Sequence, residues 1–409
     1  MPWRKPDLTA VPYISLAATI AGLFIARAMP SIAMIVMVGY AVLLTDPRKT
    51  FSLFFRDRVL VALWLVFFVY LFSALNSKED NYFLLERIRL KLPFLALPVA
   101  FTVFKNKISE RQFLSYLYFF LLLVLITSVT ISFQFFKNLK GILHAYSEGR
   151  VIETPFNHIR YSLMISFAIV IGFYLFVKKF FVKYPLERWL ILGSAIFLIY
   201  FQHLLAVRSG MAAIYLCGLY MIFHFVFRIK NFKRAMMLAG IIVVVPMIAY
   251  FTMPSVKARM NYMKYDLQQL FLFQNASGLS DAGRILSIEK GMELFKEHPV
   301  TGVGIGDLRV EMKNKLDEAP EHPRDILLPH NQFVFVAAGT GIFGLIVFVI
   351  AVFLPLMRRR YLKNWLFVCF HIIILSSFFT EATIEEQMGT GFYLSFLLLM
   401  YIFIQSNEP

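Results

Sequence analysis

Long apolar stretches recur along the whole chain at a density that no water-soluble core can use. Twelve runs stand out, at residues 11–26, 31–44, 59–75, 92–104, 113–136, 161–177, 189–205, 210–227, 235–252, 331–356, 365–379 and 388–404. A helix rising 1.5 Å per residue needs about 20 mostly apolar residues to cross about 30 Å of hydrocarbon. Several runs are shorter than this, so their ends are loosely defined. Composition agrees: 59% of the chain is hydrophobic and 16% charged, against roughly 45–50% and 25% for soluble proteins. Those figures exclude a disordered chain, a coiled coil and a disulfide scaffold. The two cysteines, Cys217 and Cys369, sit inside apolar runs and suggest neither a metal cage nor a disulfide framework. No small-residue cleavage site follows the first run, which is therefore not expected to be a removed signal peptide. The expected fold class is all-α: a polytopic membrane bundle of about twelve transmembrane helices.

Twelve spans place both termini on one side, and the charges indicate which. With a cytoplasmic N-terminus, the inside segments hold Arg4 and Lys5, then Arg48, Lys49, Arg56 and Arg58, then Lys105, Lys107 and Arg111. Later inside segments hold Lys178, Lys179, Lys183 and Arg188, then Arg228, Lys230, Lys233 and Arg234, then Arg358, Arg359, Arg360 and Lys363. All lie near span ends, as the positive-inside rule requires. Topology thus accounts for the net charge of +16 better than a nucleic-acid partner does, and a multi-pass protein with both termini cytoplasmic is expected. The division is 1–252 for nine spans, 253–329 for one long outer loop, and 330–409 for three more spans.

The long loop has helical patterning. Met260, Met263, Leu267, Leu270 and Phe271 recur at helical spacing across 259–274, and Asn275, Ser277, Gly278 and Ser280 break it. Asp281 is then expected as the N-cap of a helix over 282–297, with Ile285, Ile288, Met292 and Phe295 as its apolar stripe. Such a subdomain would lie over the outer mouth of the bundle. No internal repeat is evident.

Charges at membrane depth on the outer side work against the positive-inside bias, so something must retain them. Arg208 lies in Leu204-Leu205-Ala206-Val207-Arg208-Ser209-Gly210, between two apolar runs with almost no loop. A guanidinium there is costly without a partner, the plainer alternative being a snorkelling anchor. Arg284, in Asp281-Ala282-Gly283-Arg284, opens the second loop helix, where backbone amides and the helix dipole favour an anion. A surface helix arginine is the plainer reading. His330 precedes Asn331 where the long loop enters a span; its imidazole can take a proton from a hydroxyl, unless the pair only caps the helix. His158 and Arg160, in Asn157-His158-Ile159-Arg160-Tyr161-Ser162, form a second candidate cluster. Arg87, Arg89 and Lys91 add an outer positive patch before another span, or a charged interfacial helix paired with Glu79, Asp80 and Glu86. Gly302-Val303-Gly304-Ile305-Gly306 lacks the Gly-Lys-Ser/Thr of a phosphate loop and reads as a tight turn. No Asp-x-Asp, HExxH or CxxC is present, so neither a chelated metal nor an ATP site is indicated.

Together these residues resemble the O-antigen ligase and polymerase superfamily. Glu297-His298-Pro299-Val300-Thr301-Gly302-Val303-Gly304-Ile305-Gly306 resembles its His-Pro turn followed by spaced glycines. Pro329-His330-Asn331-Gln332-Phe333 resembles its His-Asn at a span start, and Gly339-Thr340-Gly341-Ile342-Phe343-Gly344 its later glycine-rich stretch. Arg208-Ser209-Gly210 and Gly283-Arg284-Ile285 resemble its two arginine positions. The resemblance implies a GT-C class glycosyltransferase of the bacterial inner membrane, metal-independent and without cofactor, active on the periplasmic face. It implies transfer of a glycan from undecaprenyl pyrophosphate to an acceptor hydroxyl. The acceptor is lipid A–core oligosaccharide in the ligases of lipopolysaccharide biosynthesis, and another lipid-linked glycan in the polymerases. It assigns His330 as the activating base and Arg208 with Arg284 as the pyrophosphate clamp; Arg160, His158, Arg87, Arg89 and Asn331 are candidate substrate contacts.

A base without an enzymic nucleophile suits single displacement with inversion. One long outer loop followed by His-Asn favours ligase over polymerase. A transporter or flippase for a lipid-linked sugar is the third reading. It would predict repeated halves around a midplane site, whereas the distinctive polar residues gather at the outer edge.

Overall fold

The computed structural model describes residues 8–26, 28–147, 150, 152–273, 280–318 and 328–407, and the regular structure among them is helical. Arg4, Lys5, the 275–278 breaker and His322 lie outside the described residues. The first part of the chain forms α1 (Val11–Ile25), α2 (Ala28–Leu43), α3 (Pro47–Phe55), α4 (Arg58–Ser73), α5 (Asn81–Ala100), α6 (Glu110–Lys137) and α7 (Leu139–Ser147). Then come α8 (His158–Val177), α9 (Glu187–Leu205), α10 (Arg208–Phe223) and α11 (Phe232–Thr252). The long loop contributes α12 (Pro254–Phe273), α13 (Ser280–Glu297) and α14 (Leu308–Asp317). The chain ends with α15 (Gln332–Phe353), α16 (Arg359–Lys363), α17 (Trp365–Phe378) and α18 (Gln387–Asn407).

Short polar residues between the apolar runs start these helices. Asp46, Asp57, Asp80, Asn157, Asn231, Asn331 and Asn364 accept hydrogen bonds from backbone N–H groups of α3, α4, α5, α8, α11, α15 and α17. Ser109 and Gln112 form a reciprocal capping box on α6. Each cap satisfies donors that a helix in hydrocarbon cannot leave bare.

Among the described residues nine helices are long and apolar enough to cross a membrane, ten if α2 and α3, bent by 109°, form one broken span. The expected count of twelve is therefore reached only by adding shorter or more charged segments. Run 365–379 lies on α17, which has 14 residues. Run 92–104 begins on α5, which carries Glu86, Arg87, Arg89 and Lys91 just before it. α8 and α18 occupy the centre, each with 89% of its apolar window buried, whereas α10 and α11 lie at the periphery with 17% and 11%.

The loop helices invert part of the expected pattern. On α13 the packed face is Ala282, Leu286, Ser287 and Leu294, while Ile285 and Met292 of the expected stripe are exposed. The reason is close approach: a Cβ on Gly291 would come within 2.9 Å of Val334 and 2.7 Å of Pro329. At Gly291 no larger residue fits against Pro329 and Val334. On α12 the buried positions include Ser255, Arg259 and Asp266, while Met260 is exposed. The inward stripe is polar.

Glycines join the loop to the bundle. α15 is broken at Gly341, with φ 69° and ψ −168°, a backbone state essentially restricted to glycine. Into the break the His-Pro turn inserts: Ile342 N donates to Pro299 O at 2.8 Å and Val303 N to Ala338 O at 2.9 Å. The amides of Gly302, Val303, Ile305 and Gly306 are taken up by the protein itself, Ile305 N donating to Ser73 Oγ and Gly306 N to Ser77 Oγ. That stretch is a packing joint, in agreement with the tight-turn reading.

Candidate active site

Ala206 turns the chain sharply from α9 into α10 with φ 51°, making Arg208 the first residue of α10. A side chain at Gly210 would collide with Gln202 and Ser162, and Ser166 Oγ donates to Gly210 O at 2.8 Å. The Arg-x-Gly pattern thus presses α10 against α8 and fixes where the guanidinium emerges. Arg208 Nη1 bonds the Asp281 carboxylate, and Arg284 Nη1 approaches the other Asp281 oxygen at 3.4 Å. Asp281 is not the N-cap that the sequence suggests, because α13 begins at Ser280 and its carboxylate is committed to two arginines. Asp266 of α12 serves the helix end instead, accepting from Asp281 N at 2.8 Å and Ala282 N at 3.1 Å.

Glu381, just after α17, joins these arginines to the histidine. Its carboxylate is 3.8 Å from Arg284 Nη2, 3.9 Å from Arg160 Nη1 and 3.8 Å from His330 Nε2. Arg160 also reaches Glu386 at 3.2 Å and donates to Ala382 O at 3.1 Å. Arg208, Arg284, Arg160 and His330, from α10, α13, α8 and the start of α15, thus converge through Asp281 and Glu381. Pattern reading misses Glu381: it is one acid among Glu381, Glu385 and Glu386, and nothing in the spacing distinguishes it.

His330 is half-buried. Burial depresses its pKa below the ordinary imidazole value; the Glu381 charge opposes this, while Arg284 and Arg160 add to it. Burial thus favours the neutral ring, the form able to accept a proton. Nδ1 lies 3.1 Å from Ser287 Oγ, and His330 N donates to the same oxygen at 3.2 Å. Asn331 caps α15 through its side-chain oxygen, and its Nδ2 donates to Phe379 O at 3.2 Å.

The polar face of α12 supplies a further cation. Arg259 is buried, and that burial together with the Arg208 charge lowers its pKa. His158, at the start of α8, feels Arg259, Arg284 and Arg160 together. A signal for Arg259 does exist: Ser255, Arg259, Tyr262 and Asp266 recur at i, i+4, i+7 and i+11, one face of a helix. The expectation of an inward apolar face hides it.

Arg87 and Lys91 are not a surface patch, as both are buried. Lys91 Nζ donates to Glu385 Oε1 at 2.7 Å and to Ile384 O at 2.6 Å. Arg87 donates to Glu385 O at 2.8 Å and pairs with Glu86 at 3.2 Å. Tyr70 and Gln332 donate to Glu385 Oε1, the oxygen that Lys91 also reaches, at 2.6 and 2.8 Å. Burial would raise the Glu385 pKa, but Lys91 and Arg87 outweigh it and hold the carboxyl below its usual range. This network ties residues 384–385 to α4, α5 and α15 and so fixes the segment that carries Glu381. Arg89, about 200° round α5 from Arg87, is exposed. His203 is satisfied within the core, its ring bonding Ile199 O at 2.8 Å and Tyr215 OH at 2.6 Å.

Residues 193–349 match the family model described as O-antigen ligase. The match takes in Arg208, Asp281, Arg284, Ser287, His330 and the glycine joint, and leaves out Arg160 and Glu381. No curated protein matches the chain. This matched segment is similar to the O-antigen ligase family, and the chain as a whole is a multi-pass helical membrane protein.

Proposed function

We propose that the protein is a ligase that moves a preassembled glycan from undecaprenyl pyrophosphate to a hydroxyl of lipid A–core, on the periplasmic face of the inner membrane. The observation that carries this reading is the chain of contacts from Arg208 through Asp281 to Arg284, and from Arg284 through Glu381 to His330. Cations fit to hold a diphosphate thus stand beside an imidazole whose neutral form, favoured by burial, can take a proton. The positive-inside distribution supports the outward orientation.

In the proposed step His330 Nε2 accepts the acceptor hydroxyl proton as its oxygen bonds the anomeric carbon. The bond from that carbon to the pyrophosphate oxygen breaks on the opposite face, giving inversion. Arg208 and Arg284 hold the departing oxygens, with Arg160 and Arg259 adding positive field; guanidiniums suit this role because their donors match phosphate oxygens in pairs. Glu381 stabilises the imidazolium that forms. Arg208→Ala and Arg284→Ala should weaken binding of undecaprenyl pyrophosphate and slow transfer. His330→Ala should abolish transfer from purified donor while binding persists. Deleting the gene distinguishes the alternatives: lipid-linked polymer with bare core supports ligase, whereas core capped by a single repeat would replace it with polymerase.

A further inference from the structure

The Ser287 side chain makes three polar contacts, and a hydroxyl has one proton to give. Ser287 Oγ lies 2.8 Å from Arg284 O, 3.2 Å from His330 N and 3.1 Å from His330 Nδ1. A backbone carbonyl only accepts and a backbone N–H only donates. The shortest contact therefore takes the hydroxyl proton to Arg284 O, and one lone pair receives the His330 amide. One lone pair remains for the ring, which must then be the donor. Ser287 is fully buried, so water does not compete for these positions.

From this count we infer that Ser287 is a positioning residue that holds His330 as the Nδ1–H tautomer, leaving the Nε2 lone pair directed at the reaction site. The inference rests on the base role proposed above. It also explains a geometric oddity. Nε2 stands 3.8 Å from Glu381, too far for a hydrogen bond, as expected of two acceptors facing each other. Once Nε2 takes a proton, that contact becomes an attraction between opposite charges. The same hydroxyl ties the ring to the backbone of Arg284, so base and clamp are set by one side chain on α13.

The groups facing the imidazole are Glu381 beyond α17, Arg284 on α13, Arg160 on α8 and the backbone of Leu328, which also bonds the ring. Ser287 is the side chain bonded to Nδ1 among the described residues. With Ser287 replaced, the ring loses that acceptor, and the balance moves toward the other tautomer, whose Nε2–H would point at Glu381 and cannot accept a proton.

The test is the nitrogen NMR spectrum of ¹⁵N-histidine-labelled full-length protein in lipid nanodiscs, with His330 assigned by its loss in H330A. Above the ring pKa, the expected spectrum shows a protonated Nδ1 and an unprotonated Nε2. A protonated Nε2 in the wild-type protein overturns the inference, whether or not any variant folds. S287A should shift His330 toward the Nε2–H form and lower kcat on the order of tenfold, a fraction of a general base's usual contribution, with donor KM unchanged. An S287A protein with wild-type tautomer and wild-type kcat also overturns it. The base role fails separately: full transfer activity in H330A would remove it and leave the tautomer reading standing.

Discussion

The Glu381 carboxylate stands 3.8 Å from His330 Nε2 and 3.8 Å from Arg284, so one acid faces both the proposed base and half of the proposed clamp. Its charge opposes the depression of the His330 pKa that burial, Arg284 and Arg160 impose. Removing that charge lowers the pKa further; removing Arg160 raises it. The base form exists above this pKa, so the acid limb of kcat/KM should move to lower pH in Glu381→Gln and to higher pH in Arg160→Gln. Glu381→Gln should also lose about tenfold in kcat, because the imidazolium forms without its counter-charge. Acid limbs displaced in the same direction by both variants would remove His330 as the titrating group.

Asp281 occupies Arg208 and approaches Arg284, the guanidiniums assigned to the pyrophosphate. An internal carboxylate there is a competitor for the same donors. Asp281→Asn should therefore strengthen product inhibition by undecaprenyl pyrophosphate about threefold to fivefold, the scale of a half-exposed ion pair. Weaker inhibition would show that Asp281 orients the arginines and does not compete for them.

Much of this arrangement is readable in the chain, and what is not has a physical reason. Arg208 announces itself because a charge between apolar runs needs a purpose, Arg284 because it opens a helix, and His330 because it stands where the loop enters a span; the three are linked through Asp281 and Glu381. Capping side chains such as Asn157, Asn231 and Asn331 mark helix starts closely because the orphan amides they serve are local. Asp281 reads only as a cap and Glu381 not at all, since their distant partners leave no local pattern: Asp281 meets Arg208 across 73 positions and Glu381 meets Arg160 across 221. The faces of α12 and α13 are misread for a related reason. A helix packed over a polar site buries polar residues, and one pressed against another helix buries small ones at the contact, so the expected apolar stripe is turned only partly inward in both.

Lys91 and Glu385 form a buried pair at 2.7 Å, with Tyr70 and Gln332 on the same carboxylate oxygen. Removing one partner leaves the other charge under-compensated inside the bundle, at a cost of up to about 3–5 kcal/mol, whereas removing both leaves neither charge of the pair to be compensated. Lys91→Met and Glu385→Gln should each lower the unfolding temperature in detergent. The double variant should lie closer to wild type than the sum of the two predicts. Strict additivity would show that the pair is not energetically coupled.

Gly341 is where the long loop meets the bundle. Its φ of 69° with ψ of −168° is open to glycine, and a Cβ there would run into the backbone of Val300 and Thr301. Gly341→Ala must therefore straighten α15 or expel the His-Pro turn, losing the bonds from Ile342 N to Pro299 O and from Val303 N to Ala338 O. Gly39, in the interior of α2, has no atom within 4 Å of where a Cβ would stand, so Gly39→Ala adds helix propensity without a clash. The expected order of unfolding temperature is Gly39→Ala at or above wild type, and Gly341→Ala several degrees below it. Because α13 carries Arg284 and is held over α15 by this same joint, Gly341→Ala should also weaken donor binding. If Gly341→Ala unfolds and binds donor like Gly39→Ala, the break in α15 does not anchor the loop, and the clamp is positioned by other contacts.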